Sequence, residues 1–213
     1  MQMIGIEWEN FLKSHASEEP EVLKLLARKT HSDVLMPRML SGHLQGRWLA
    51  MISQLVKPKR ILEIGTYTGY SAICLAEGLA AGGQLITIDI NEELADLVNE
   101  FVQKAGFSDR ITQLTGPAAD IIPSLDGPFD MVFIDADKAL YPLYYDLVFD
   151  KVATGGLILV DNVAWDGKVL EPEKHENKET KGIMALLEKV RQDDRVEPLI
   201  LPIRDGILTA RKK

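Results

Sequence analysis

Two short stretches concentrate groups that could do chemistry. Phe133-Ile134-Asp135-Ala136-Asp137-Lys138 ends an apolar run with two carboxylates and an amine, and Leu159-Val160-Asp161-Asn162 ends a second run with a carboxylate and an amide. Oxygen donors of this kind suit a hard divalent cation, Mg2+ first, with Ca2+ and Mn2+ as alternatives. No His or Cys accompanies them, which argues against zinc. Asp and Asn also cap helices and turns, so either end alone reads as a cap. Two parallel strand ends lie about 5 Å apart when adjacent. The recurrence of the pattern at both ends therefore favours Asp135, Asp161 and Asn162 as one metal set. Lys138 is the candidate base for a hydroxyl proton; its other reading is a surface lysine paired with Asp137.

A third stretch, Glu63-Ile64-Gly65-Thr66-Tyr67-Thr68-Gly69-Tyr70-Ser71, joins a strand pattern to a helix pattern. Glycines at such a turn let a ligand approach the backbone, and the helix start offers free N–H groups to an anion. The spacing is G-x-x-x-G. It lacks the central glycine of the dinucleotide fingerprint, and no G-K-[ST] of a P-loop follows. The turn therefore suits a small carboxylate better than a diphosphate. The next apolar run ends in Asp89, where an acidic side chain commonly takes ribose hydroxyls, or else simply makes a turn.

The elements that must carry these groups follow from periodicity. Strand patterns fall at 60–64, 85–89, 111–114, 131–134 and 157–160, with helix patterns at 70–81, 92–105, 141–152 and 181–193. Their alternation predicts βαβ units and a mainly parallel sheet. Two late runs, 197–201 and 206–210, are joined by a connection too short for a parallel crossover, which predicts an antiparallel pair at one edge. The first 58 residues carry three helix patterns, 5–14, 19–30 and 41–56, and no strand. They are expected to cover the α/β core. The charged stretch 165–181 reads as a long mobile loop beside the metal set, with Trp165 either stacking on a flat acceptor or packing on the sheet edge.

Bulk properties set the outer limits. The 213 residues suffice for one α/β domain, and the single cysteine, Cys74, excludes an internal disulfide. No apolar run reaches the roughly 20 residues of a membrane helix, and the N-terminus lacks a signal-peptide pattern, so the expectation is a cytoplasmic protein with no membrane partner. A net charge of -8 counts against a broad nucleic-acid-binding face.

Taken in order, EIGTYTGYS, TIDI, GPAADIIPSL, FDMVFIDADKALY and GGLILVDNVAWDGKV resemble the class I S-adenosylmethionine-dependent O-methyltransferases. The likeness is to the cation-dependent family of catechol and caffeoyl-CoA O-methyltransferases, and it spans roughly 39–210. It implies a Rossmann-like methyltransferase fold: an α/β, seven-stranded, mostly parallel sheet with an antiparallel edge pair, helices on both faces and an N-terminal helical cover. One domain, 1–213, would comprise the cover, 1–58, and the cofactor-binding core, 59–213. The resemblance also implies residue roles. Glu63, Gly65 and Thr66 would line the methionine side of S-adenosylmethionine, Ser71 its carboxylate, Asp89 the ribose and Ala118 the adenine. Asp135, Asp137 and Ser41 fall on further cofactor-contacting positions, and Asp166 on a substrate-contacting one.

The activity so implied is cation-dependent methyl transfer to a hydroxyl of a small, catechol-like phenolic acceptor by a homodimer. Two alternatives stand beside it. One is the same chemistry on a hydroxylated uridine in tRNA, with Lys57, Lys59 and Arg60, or Arg38 with Arg47, meeting phosphates. The other is a non-catalytic S-adenosylmethionine-binding protein, against which the intact Asp135, Asp161, Asn162 and Lys138 argue.

Overall fold

A computed structural model describes residues 5–213. Contacts gather the chain into two compact units, Glu7–Pro117 and Ala118–Lys213.

In the first unit, helices α1 (Ile6–His15), α2 (Glu21–Asp33) and α3 (Gly42–Val56) precede strand β1 (Arg60–Ile64). Helix α4 (Tyr70–Ala76), β2 (Gln84–Asp89), α5 (Ala95–Lys104) and β3 (Ile111–Thr115) follow. The strands are parallel with β2 between its neighbours, and Ile64 pairs with Ile88, which pairs with Leu114. This register brings the glycine turn after β1 and Asp89 of β2 to the same sheet end. The expected cover is made by α2 and α3, whose buried faces (Leu23, Leu26 and Thr30; Gln45, Leu49 and Ala50) pack toward α4 and α5. Helix α1 buries no residue.

Every residue of α4 is buried, so its sequence carries no amphipathic stripe. The helix stops at Ala76, five residues short of the pattern read from sequence. Gly78, Gly82 and Gly83 follow, and the chain tightens through Gly78 N–H to Leu75 O and Leu79 N–H to Ala76 O. A Cβ on Gly78 would lie 2.1 Å from the Ser53 carbonyl carbon, so the backbone of α3 lies directly against this stop.

The second unit opens with α6 (Ala118–Ile121), a short turn of helix without a signal in the periodicity. Strand β4 (Phe129–Ile134), α7 (Tyr141–Phe149), β5 (Val152–Val160), α8 (Lys178–Gln192), β6 (Val196–Leu201) and β7 (Ile207–Lys212) complete it. Strands β4 and β5 are parallel. β7 lies between β5 and β6 and runs antiparallel to both, which forms the edge pair the short connection predicts. Met131 to Ile134 are wholly buried, as their unbroken apolar run requires. The stretch read as a loop over 165–181 is more ordered than expected. Trp165–Leu170 forms tight turns broken by a kink at Asp166 and Gly167, and a 3-10 turn occupies Pro172–Lys174. Helix α8 starts three residues early because Asn177 Oδ1 accepts the Thr180 N–H at 2.8 Å. Among the described residues no helix is long and apolar enough to cross a membrane.

Candidate active site

In the first unit a polar cluster is built under the glycine turn. Glu63 and Thr87 are paired across β1 and β2, and Thr87 Oγ1 donates to Glu63 Oε2 at 2.5 Å. Thr66 Oγ1 lies 2.5 Å from Thr87 Oγ1. Glu63, Thr66 and Thr87 are all buried. The turn runs through left-handed conformations at Gly65 (φ 103°), Tyr67 (φ 49°) and Gly69 (φ 85°). Glycine adopts these freely, but Tyr67 needs outside support.

Asp89 supplies that support: its Oδ2 accepts the N–H of Thr66 at 2.9 Å and of Tyr67 at 2.7 Å. Its Oδ1 accepts from Asn91 N–H at 2.9 Å. A carboxylate offers about four acceptor positions, so three such bonds leave capacity for a ligand hydroxyl. The Tyr67 hydroxyl donates to Leu35 O at 3.0 Å, and Thr30 Oγ1 donates to Thr68 Oγ1 at 3.2 Å, which ties the turn to α2 and the stretch after it. Ser71 lies buried in the first turn of α4, and Ser41 is buried at the entry to α3. Thus Glu63, Thr87, Thr66 and Asp89 form one hydrogen-bonded group, with Gly65 in the turn between Glu63 and Thr66, its N–H on Ile88 O, and Ser71 at the start of the next helix.

In the second unit the two acidic strand ends are neighbours. Ile134 pairs with Val160, and Asp161 N–H donates to Ile134 O at 3.0 Å, so Asp135 and Asp161 leave adjacent strands at matched positions. Asp161 is buried, and its Oδ1 accepts the Asn162 N–H at 2.7 Å. Three residues after β5 hold left-handed backbone: Asn162 (φ 59°), Trp165 (φ 46°) and Asp166 (φ 57°). Such strain in non-glycine residues gathers at functional turns. Asp166 is anchored by its N–H to Asp205 Oδ1 at 2.8 Å. Ala118 opens α6.

Lys138 pairs with a different carboxylate from the one its surface reading named. Its Nζ lies 2.8 Å from Asp135 Oδ1, with both side chains mostly buried. Asp137 instead caps the turn Lys138–Leu140, its Oδ1 accepting the Ala139 N–H at 3.0 Å. The ammonium also faces the rings of Tyr141 at 5.6 Å and Trp165 at 6.0 Å. Trp165 therefore forms part of the lysine's surroundings, and its indole N–H is buried without a hydrogen-bond partner.

One residue was missed by sequence reasoning. Tyr141 is wholly buried, and its hydroxyl donates to Asp161 O at 3.0 Å. Burial first, then the charges of Asp135 and Asp161, push that hydroxyl well above its ordinary range. It therefore stays protonated and holds the backbone of Asp161. Its only signal in the sequence is an aromatic residue directly after the acidic cluster.

Among the described residues no three His, Cys, Asp or Glu form a group that could hold a metal. The set here is two carboxylates and an amide, all hard oxygen donors, and an ammonium already rests on one of them. That donor chemistry fits a divalent cation held partly by protein and partly by water or acceptor oxygens. Of the residues suggested for phosphate contact in tRNA, Arg47 is engaged by Glu77 through Nη1 to Oε2 at 3.0 Å and Nη2 to Oε1 at 2.5 Å.

Known proteins share both the sequence and the fold. The family model described as O-methyltransferase matches residues 13–213. Caffeoyl-CoA O-methyltransferase 1 of Eucalyptus globulus is 34% identical over 204 residues, covering 91% of this chain and 82% of its own. Catechol O-methyltransferase of Niastella koreensis is 38% identical over 156 residues, 71% of each chain. Among solved structures, an O-methyltransferase from Bacillus cereus in complex with SAH matches with a TM-score of 0.89 and 29% identity over 96% of both chains. TomG from Streptomyces achromogenes, in complex with SAM, matches with a TM-score of 0.90 and 30% identity over 97% of this chain and 96% of that one. The fold read from the sequence is theirs: a Rossmann-like methyltransferase fold with mostly parallel strands and an antiparallel edge pair. By family match, relatives and fold alike, the chain belongs to the O-methyltransferase family and is an S-adenosylmethionine-dependent O-methyltransferase.

Proposed function

We propose that the enzyme transfers the methyl group of S-adenosylmethionine to one of two vicinal hydroxyls on a small catechol-like acceptor, with help from a divalent cation. The observation that carries this reading is the register of β4 and β5, which sets Asp135 and Asp161 side by side with Asn162 next in line. The catechol and caffeoyl-CoA acceptors in the names of the relatives support the acceptor class, since a caffeoyl group also carries two vicinal phenolic hydroxyls.

In this reading Glu63, Gly65, Thr66, Ser71 and Asp89 hold the cofactor, with Ala118, Asp135, Asp137 and Ser41 as further contacts. Asp135, Asp161 and Asn162 hold the cation, most simply Mg2+, and Asp166 meets the acceptor. Bound there, the cation would orient two vicinal oxygens and make their hydroxyls more acidic. As the neutral amine, its ion-pair proton already given up to solvent, Lys138 Nζ takes the proton from the reacting hydroxyl. The oxygen then attacks the sulfonium methyl in line; the O–CH3 bond forms as S–CH3 breaks, and the electron pair returns to sulfur. Tyr141 keeps the Asp161 backbone in place, and the Trp165 ring covers the lysine. The single cysteine suits a reducing compartment, and we place the reaction in the cytoplasm, carried out by a homodimer.

The test is methyl transfer to a catechol with Mg2+ and again with EDTA. EDTA is expected to abolish turnover, and Asp135→Ala to lower it by ~100-fold, the loss of roughly 3 kcal/mol of barrier lowering. Full wild-type activity in EDTA would overturn the cation's part.

A further inference from the structure

We propose that Gly182 of α8 is a positioning residue for Lys138, which rests on Lys138 being the base. Gly182 is buried inside a fifteen-residue helix, where glycine costs about 0.5–1 kcal/mol relative to alanine. Gly182 is not among the left-handed glycines, so the helix does not need it for conformation. The close approach explains it. A Cβ there would lie 2.2 Å from the Lys138 carbonyl oxygen, 2.7 Å from Ala139 Cα and 3.0 Å from the Ala139 carbonyl carbon. All three are backbone atoms, so no side-chain rotation relieves the overlap, and either the helix or the turn must move.

The turn is the part that yields. Helix α8 is fixed along its length by the buried side chains of Ile183, Leu186 and Val190 and by the Asn177 cap. Lys189 joins it to Asp146 of α7 at 2.7 Å. The turn has Asp137 as its cap, with Ala139 N–H on Oδ1 and Leu140 N–H on the Asp137 carbonyl, each at 3.0 Å. A shift of the Lys138 backbone carries Nζ away from its place 2.8 Å from Asp135 Oδ1. Displacement of a reacting group by about 1 Å can cost 100-fold. Helix α8 thus sets the height of the turn that delivers the amine.

The experiment measures kcat on a catechol and the affinity for SAH in Gly182→Ala, Lys138→Ala and the double variant, the last two by long incubations at high enzyme concentration. Gly182→Ala is expected to lower kcat by ~10- to 100-fold while leaving SAH affinity within about twofold. In the Lys138→Ala background it is expected to cost less than about twofold more, because the group it positions is gone. The same fold-loss in both backgrounds, an unchanged kcat, or an equal loss of SAH affinity overturns the proposal. Full activity of Lys138→Ala would instead remove the base reading on which it rests. Should Gly182→Ala fail to fold, Ala139→Gly loosens the same turn without added bulk. A severalfold fall in kcat at unchanged SAH affinity supports the proposal there, and wild-type kcat overturns it.

Discussion

Asp89 carries one task that the structure shows and one that the proposed function gives it. In the proposed function it takes the ribose hydroxyls, and in the structure it accepts three backbone N–H bonds, two of them from the strained glycine turn. Hydrogen bonds to a charged group contribute about 1.5–3 kcal/mol each when their loss strands a partner. Asp89→Ala is therefore expected to weaken SAH binding by at least ~10-fold and to lower the urea midpoint, the turn collapsing along with the contact. Tyr67→Phe removes only the hydroxyl's ties to Leu35 O and Met36 O, and should lower stability by about 1 kcal/mol with all of the Asp89 bonds in place. Calorimetric titration with SAH beside urea unfolding checks both. The place of Asp89 at the end of the second strand was legible in the sequence, where it read as a ribose contact or a turn residue. Its hold on Thr66 and Tyr67 was not legible, since that depends on the register of β1 and β2. The same limit hid the Lys138–Asp135 pair: sequence neighbours suggested Asp137, but the short turn commits Asp137 to Ala139 N–H.

Elements were legible where one face had to be apolar, and illegible where glycine packing decided. All seven strands and the long helices lay within a few residues of their patterns, apart from the early start of β5, because apolar periodicity fixes which residues must be buried. Helix α4 is buried all round, so its pattern ran on past the true stop. The close contact of Gly78 with Ser53 and Gln54 backbone, at 2.1 Å and 2.3 Å from a modest added methyl, is a tertiary fact. Gly78→Ala should therefore destabilise the chain by ~2–3 kcal/mol through overpacking of α3 on α4, read as a lower urea midpoint. Helix α8 ends in a charge-sensitive cap. Asp193 stands at its C-terminus, an unfavourable place for a carboxylate. The Arg195 guanidinium, joined by Arg195 N–H and the Tyr145 hydroxyl, offsets this and holds its carboxyl well below the usual range. A depressed folded-state pKa adds stability above the ordinary carboxylate value, and that stability is lost as pH falls toward the folded value. Asp193→Asn should lower the thermal midpoint at pH 7, and the gap to wild type should close steadily below about pH 4.

At the scale of the whole molecule, charge bears on which acceptor the chain can hold. The 24 lysines and arginines face 32 aspartates and glutamates, and the net charge of -8 repels a polyanion before any contact forms. Local basic patches can outweigh such a balance, so the question turns on particular residues. Of those suggested for phosphate contact, Arg47 is bound to Glu77, which also raises its pKa, while Arg38, Lys57 and Lys59 are exposed and Arg60 is half-buried. These four cations, even all engaged, fall short of the 6–10 phosphate contacts that make binding steeply salt-dependent. A catechol carries no such charge at neutral pH, so its turnover should respond little to ionic strength. The rate of catechol methylation is accordingly expected to change less than about threefold between roughly 50 and 200 mM salt, and tRNA should not be retained at the upper value. An enzyme reading tRNA through phosphates would lose about 10³- to 10⁵-fold in affinity over the same range. Steeply salt-sensitive tRNA binding, together with methyl transfer to tRNA and none to catechol, would move the acceptor from small phenols to modified uridines while leaving the cofactor chemistry unchanged.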